Sequence, residues 1–212
     1  MVSKMGRVGL ILLASAVCVG FADSALPADT KEPAVVRDIA AGNGDVGEKA
    51  LDDLTGKSRQ AIIDALVARL NNAPLTGETK DDGVVRTMIA LGRLRAEVAA
   101  RPLASRMGLI IPHQTGFAPG LTLPPFTPDI NAVVQQALVS IGKASLDPVF
   151  HDYADTRQDA LGHANVIVSV LDDDSDLAKA WLSKRTSSSL KKAADELIAA
   201  IDARRAERKQ SK

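Results

Sequence analysis

Apolar residues recur along this chain at the three- and four-residue spacing of a helix face, in pairs of stripes separated by a glycine or a short polar break. Ile62, Leu66 and Leu70 stand four apart with Ile63 and Val67 beside them, after Leu51, Leu54 and Gly56. Val84, Val85, Met88 and Leu91 lead to Gly92, and a stripe resumes through Val98, Leu103 and Met107. Ile130, Val133, Val134, Ala137, Leu138 and Ile141 form the cleanest stripe; Gly142 closes it, and Val149, Phe150 and Tyr153 follow. A looser pair carries Leu161, Ala164, Ile167, Val168 and Leu171, then Leu177, Ala178, Trp181 and Leu182. The last stripe, Leu190, Ala193, Ala194, Leu197, Ile198 and Ile201, has a charged opposite side, as a capping helix needs. The predicted fold class is all-α: an α-α superhelix of about four antiparallel helix pairs plus a C-terminal capping helix.

Local signals set the boundaries. Asp129 is placed to cap the helix that follows it, Asp147 and Pro148 read as an N-cap and first helical residue, and Pro102 falls in a first turn, where its missing N–H costs nothing. Asn71 to Asp82 holds Pro74 and Gly77 and reads as a loop. Five of the ten prolines fall between Ile111 and Asp129, with Gly116 and Gly120, so residues 111–129 form a Pro-rich insertion that is not helix. The helical domain is expected over residues 35–209, after a polar leader at 23–34.

Composition narrows the core and the partners. Aromatics are only 3% of the chain, so the core is built from Ala, Leu, Ile and Val. Lys4 and Arg7 precede an uncharged apolar run from Val8 to Phe21 that ends in small residues, which reads as a signal peptide over residues 1–22, cut after Ala22. The run is short against the ~20 residues that span a bilayer. Cys18 follows Val17, where a lipidation signal wants a small residue, so membrane attachment is expected only if the signal stays uncleaved or lipidated. The mature chain then has no cysteine and no disulfide, and its expected place is periplasmic or secreted. Cleavage leaves 24 basic against 26 acidic residues, which excludes a general phosphate-binding face; no nucleic acid is expected. The terminal cluster Arg204, Arg205, Arg208, Lys209 and Lys212 complements the dipole at a helix C-terminus.

Ala137-Leu138-Val139-Ser140-Ile141-Gly142 followed by Leu146-Asp147-Pro148-Val149-Phe150 resembles the HEAT repeat, in which an Ala-Leu-x-x-Ile/Leu-Gly helix end precedes a second helix opened by proline. Ala90-Leu91-Gly92-Arg93-Leu94 with Pro102-Leu103 is similar to the same pattern. The glycines lie 36 and 50 residues apart, around the roughly 40 to 47 of HEAT and armadillo repeats, the larger gap holding the insertion. The resemblance covers roughly residues 45 to 185. It implies a curved, right-handed stack of helix pairs that binds another protein or peptide. The insertion and a fourth pair without its glycine depart from the family pattern.

Chemistry-bearing motifs are few. Gly56-Lys57-Ser58 lacks the earlier glycine of a phosphate loop, since Leu51 stands there. Asp172, Asp174 and Asp176 are candidate calcium ligands, but the EF-hand pattern needs Gly and Glu where Leu177 and Ser183 stand, and an acidic helix N-terminus explains the run. His113, His151 and His163 match no metal-pair spacing; His151 and Asp155 stand four apart without a nucleophile motif. No catalytic residue, metal or cofactor is expected. Phe117, Leu121, Leu123 and Phe126 make the insertion the candidate partner-binding element, either as a contact arm or as a cover folded over the end of a repeat. The expected function is a non-catalytic protein-protein interaction scaffold exported to the cell envelope or outside. The alternatives are an enzyme or enzyme-accessory protein, as in the lyase-like HEAT family, and a surface calcium-binding module.

Overall fold

The apolar stripes wind into helices in the computed structural model, which describes residues 33–42, 51–73, 82–108, 130–185 and 187–210. Helix α1 spans Ala34–Ala41, α2 Gly56–Asn72 and α3 Asp82–Arg93. A 3-10 turn at Glu97–Ala99 runs into the short α4, Ala100–Ala104. Next come α5, Ile130–Ile141, a second 3-10 turn at Gly142–Ser145, and α6, Leu146–Thr156. The order ends with α7 (Ala160–Val170), α8 (Ser175–Leu182) and α9 (Ser188–Gln210). No strand occurs among the described residues, all of which lie in the unit Glu32–Lys212, and the fold is all-α.

Packing follows chain order in two rows. In one row α1 lies against α3, α3 against α5, α5 against α7 and α7 against α9; in the other α2 lies against α4 and α4 against α6. Contacts of α1 with α2, α2 with α3, α4 with α5 and α6 with α7 join the rows. Their shared core is mainly the predicted aliphatic set, with Leu66, Leu70, Leu91, Leu103, Leu138, Ile167 and Leu197 fully buried, and the aromatic Phe150 is fully buried with them. Helix α9 buries Ala193, Ala194, Leu197 and Ile201 against α6, α7 and α8, while Lys191, Lys192 and Asp195 face water. The predicted stripes are too wide in three places: Val98, Leu161 and Leu177 are about half exposed, each sitting in the first turn of its helix or in the 3-10 lead-in.

The repeat glycines do different work. Gly142 has φ +83° with open space around it and ends α5; Gly56 has φ +53° at the start of α2. Gly92 lies inside α3 without a positive φ, and a Cβ there would stand 2.8 Å from the Cα of Ala137 on α5. It is a close-approach residue rather than a stop. The left-handed turn after α3 falls to Arg95, at φ +45°, where the Ala96 N–H reaches back to the Leu91 carbonyl at 3.0 Å. Gly92→Ala is therefore expected to destabilise the protein by about 1–3 kcal/mol despite alanine's better helix propensity, because the backbone of α5 must move. Urea unfolding of the variant checks this.

Helix α6 starts earlier than predicted. After Gly142 the chain keeps 3-10 winding, with the Ser145 hydroxyl donating to the Gly142 carbonyl at 2.7 Å. Asp147 and Pro148 consequently sit at the second and third positions of α6, and Asp147 pairs with Arg185 instead of capping. Pro102 does lie in the first turn of α4.

Three arginines close helix ends across the rows. Arg86 Nη1 donates to the Ala40 carbonyl of α1 at 3.3 Å, Arg59 Nη2 to the Leu94 carbonyl just past α3, and Arg106 Nη2 to the carbonyls of Leu70 and, at 3.0 Å, Ala73 at the end of α2. Carboxyl-terminal carbonyls lack intrahelical donors and carry the negative end of the dipole, so a guanidinium satisfies both needs. Desolvation pulls the buried Arg106 guanidinium below its ordinary value, and an arginine stays charged in protein all the same.

Candidate functional site

A gathering of polar and aromatic side chains lies where α6 turns into α7 beneath α9. Leu146, Val149, Phe150 and Tyr153 form the buried face of α6, and Asp152 sits half-buried on its edge. Arg157 ends the helix in the left-handed region (φ +55°), its N–H donating to the Tyr153 carbonyl at 2.8 Å. Two residues later Asp159, also left-handed, caps α7 by accepting from the Gly162 N–H at 3.0 Å. So short a connection folds the first turn of α7 back over the end of α6, bringing His163 to Asp152.

His163 is completely buried. Its Nδ1 lies 2.8 Å from the Asp159 carbonyl oxygen and its Nε2 lies 3.1 Å from Asp152 Oδ2. Beside it, the Tyr153 hydroxyl donates to Glu196 Oε2 on α9 at 2.9 Å, and Arg157 Nη1 meets the same oxygen at 2.7 Å. Burial, then the bond to Glu196, pushes the Tyr153 phenol up to about 12. The hydrogen bonds from Arg157 and from Tyr153 hold the Glu196 carboxyl below its usual range. Above about pH 10 an unfolded tyrosine ionises while the folded one keeps its proton. Alkaline unfolding is therefore expected to steepen from pH 10 upward, and a Tyr153→Phe variant removes that component in a pH series of thermal melts.

A second cluster ties α8 to α6. The Arg185 guanidinium stands 4.1 Å from the Trp181 ring centroid and 5.4 Å from that of Phe150, and Nη2 pairs with Asp147. Phe150 meets Trp181 edge to face at 6.0 Å.

The predicted site residues are put to separate uses. Asp174 caps α8, accepting from the N–H groups of Asp176 at 2.8 Å and Leu177 at 3.0 Å. Asp176 faces Lys179 at 3.5 Å and Arg205 at 3.3 Å, while Asp172 lies exposed at φ +59°. Lys179 also meets Asp202 at 3.0 Å, and that hydrogen bond raises its ammonium value most. Among the described residues no group of three or more His, Cys, Asp or Glu is placed to hold a metal ion. Phe117, Leu121, Leu123, Phe126 and His113, the insertion at 111–129, and the signal and leader lie outside the described residues. His151 is exposed, with its ring against Phe150 at 5.7 Å. The partnership of His163 with Asp152 has no helix-spacing signature in the sequence, because the two stand eleven residues apart across a turn.

Between α7, α8 and α9 a cleft of about 60 Å³ is lined by Ala164, Val168, Ser175, Ile201, Arg204 and Arg205. Small-molecule pockets run to about 300–1,000 Å³. No helix among the described residues is long and apolar enough to cross a membrane. No family model, curated protein or solved structure matches the chain.

Proposed function

We propose that this chain is a HEAT-like, non-catalytic scaffold that binds another protein and acts in the envelope or outside the cell. The observation that supports the reading is the two-row packing order, in which helices contact their neighbours in a chain-ordered stack. The use of the polar clusters agrees with it. Both nitrogens of the buried His163 are occupied, the Tyr153 hydroxyl is held by Glu196, and the arginines are spent on helix ends, aromatic rings and carboxylates. These groups fasten helices together. Ile89, Val98, Leu161 and Leu177 offer apolar contact points in water, and the insertion with Phe117, Leu121, Leu123 and Phe126 is the proposed contact arm. Export rests on the charged start and apolar run at 8–21.

Two measurements test this. Photo-crosslinking residues placed singly at Ile89, Val98, Leu161 and Leu177 in living cells are expected to capture one discrete partner, absent from controls at the exposed Lys143 and Asp155. Loss of that adduct on deletion of residues 115–126, with the melting temperature kept, assigns the arm; no adduct from any position counts against the scaffold. The chain recovered from cells is expected to begin at Asp23, and an uncut chain in the cytosol overturns the export reading.

A further inference from the structure

We infer that α1 is a displaceable plug: it covers one end of the row α1, α3, α5, α7 and α9, and an amphipathic helix of a partner takes its place on α3. The inference rests on the scaffold reading only for the source of that helix. A stack of helices needs a cover at each end, because its last member otherwise shows an apolar side to water. The two covers of this row differ in strength. Helix α9 closes one end with 23 residues and buries Ala193, Ala194, Leu197 and Ile201. Helix α1 closes the other with eight residues, of which only Val36 and Ile39 are buried. Nothing within α1 compensates for its length, since an isolated helix shorter than about 12–15 residues is marginal in water. Its N-cap is Pro33, which offers no side-chain acceptor, its first turn holds no acidic residue and its last turn no basic one. Helix α1 is therefore helical because it is docked, and it undocks for the loss of two buried side chains and a 3.3 Å hydrogen bond from Arg86.

The chemistry of α1 states what the site accepts. Val84, Val85 and Met88, buried on α3, belong to the same apolar core as Val36 and Ile39. The occupant needs two branched apolar residues three apart, as Val36 and Ile39 are, on a helix whose opposite side faces water. Arg86 fixes its direction, because the guanidinium meets the Ala40 carbonyl in the last turn and favours the negative end of the helix dipole. Gly42 turns the chain just beyond, in the left-handed region at φ +81°, and a Cβ on it would collide with the same guanidinium. A helix that ends in glycine is accommodated without moving Arg86.

Native-state hydrogen exchange of the full chain is expected to show the α1 amides exchanging at least about 100-fold faster than those of α3 and α5. Val36→Asp places a carboxylate where the side chain has no solvent exposure, which undocks α1, and the rest of the chain is expected to keep a cooperative melting transition. The probe is a peptide of residues 33–42, stapled between the exposed positions 37 and 41 and added at about 1 mM, comparable to the effective concentration of a tethered segment. Amide NMR signals of α3 are expected to move in the Val36→Asp chain and at least about fivefold less in the parent, whose own α1 competes. Exchange of α1 as slow as that of α3, a Val36→Asp chain that no longer folds, or α3 signals unmoved by the peptide in the folded variant each overturns the plug. Crosslinking that captures no partner overturns the scaffold and leaves these outcomes unaffected.

Discussion

Phe150→Ala is expected to lower the unfolding free energy by about 3–5 kcal/mol, the usual cost of emptying a fully buried phenylalanine site. Phe150 has no solvent exposure, and its ring is the surface against which Trp181 stands edge-on and over which Arg185 lies. Removing it leaves a cavity beneath α8 and takes away one of the two rings that hold the guanidinium beside Asp147. Trp181 is the chain's single tryptophan, so its fluorescence reports this site without interference. The expected result is a red-shifted native emission together with the lowered denaturation midpoint. Phe150→Leu, which keeps most of the volume, is expected to cost less than about 1.5 kcal/mol. A small loss for the alanine variant would mean that α6 and α8 do not pack as described.

Arg106→Met carries the second large effect, about 3 kcal/mol. The methionine keeps the apolar stem but leaves the Leu70 and Ala73 carbonyls without the charged donor that now reaches them from 36 and 33 residues away. Hydrogen bonds to charged groups contribute about 1.5–3 kcal/mol each, and in the variant the Leu70 carbonyl keeps only the Ala73 N–H, 3.2 Å away. Arg106→Lys retains the charge without the planar fork and is expected to fall between the two. Urea midpoints measure the series. Hydrogen exchange localises it, since the last turn of α2 is expected to lose protection before the rest of the helix. Equal midpoints for the methionine variant and the parent would reduce Arg106 to a packing residue.

Much of the architecture was legible without the structure, and particular residues show why. The stripe Ile130, Val134, Ala137, Leu138 and Ile141 is buried as its spacing predicts, since helix periodicity and burial are two expressions of one geometry. Asp174 caps its helix because the cap interaction is complete within three residues. Gly142 ends α5 because a left-handed residue is needed wherever a helix stops this way. Asp147 lies inside α6 rather than at its cap because 3-10 winding continues through Lys143 and Ala144, which no strong local signal announces.

What the sequence by itself determined, then, was where helices run, which face is apolar and where several of them start and stop, because these depend on neighbours within one or two turns. Only the tertiary structure decided that Gly92 serves a contact with Ala137, that Arg59, Arg86 and Arg106 close the ends of other helices, and that His163 answers Asp152. Each of those depends on residues far apart in the chain meeting at a few ångströms, and the single sequence carries no term for that distance. The candidate site belongs wholly to this second class, since it exists only once α7 and α9 have closed over α6.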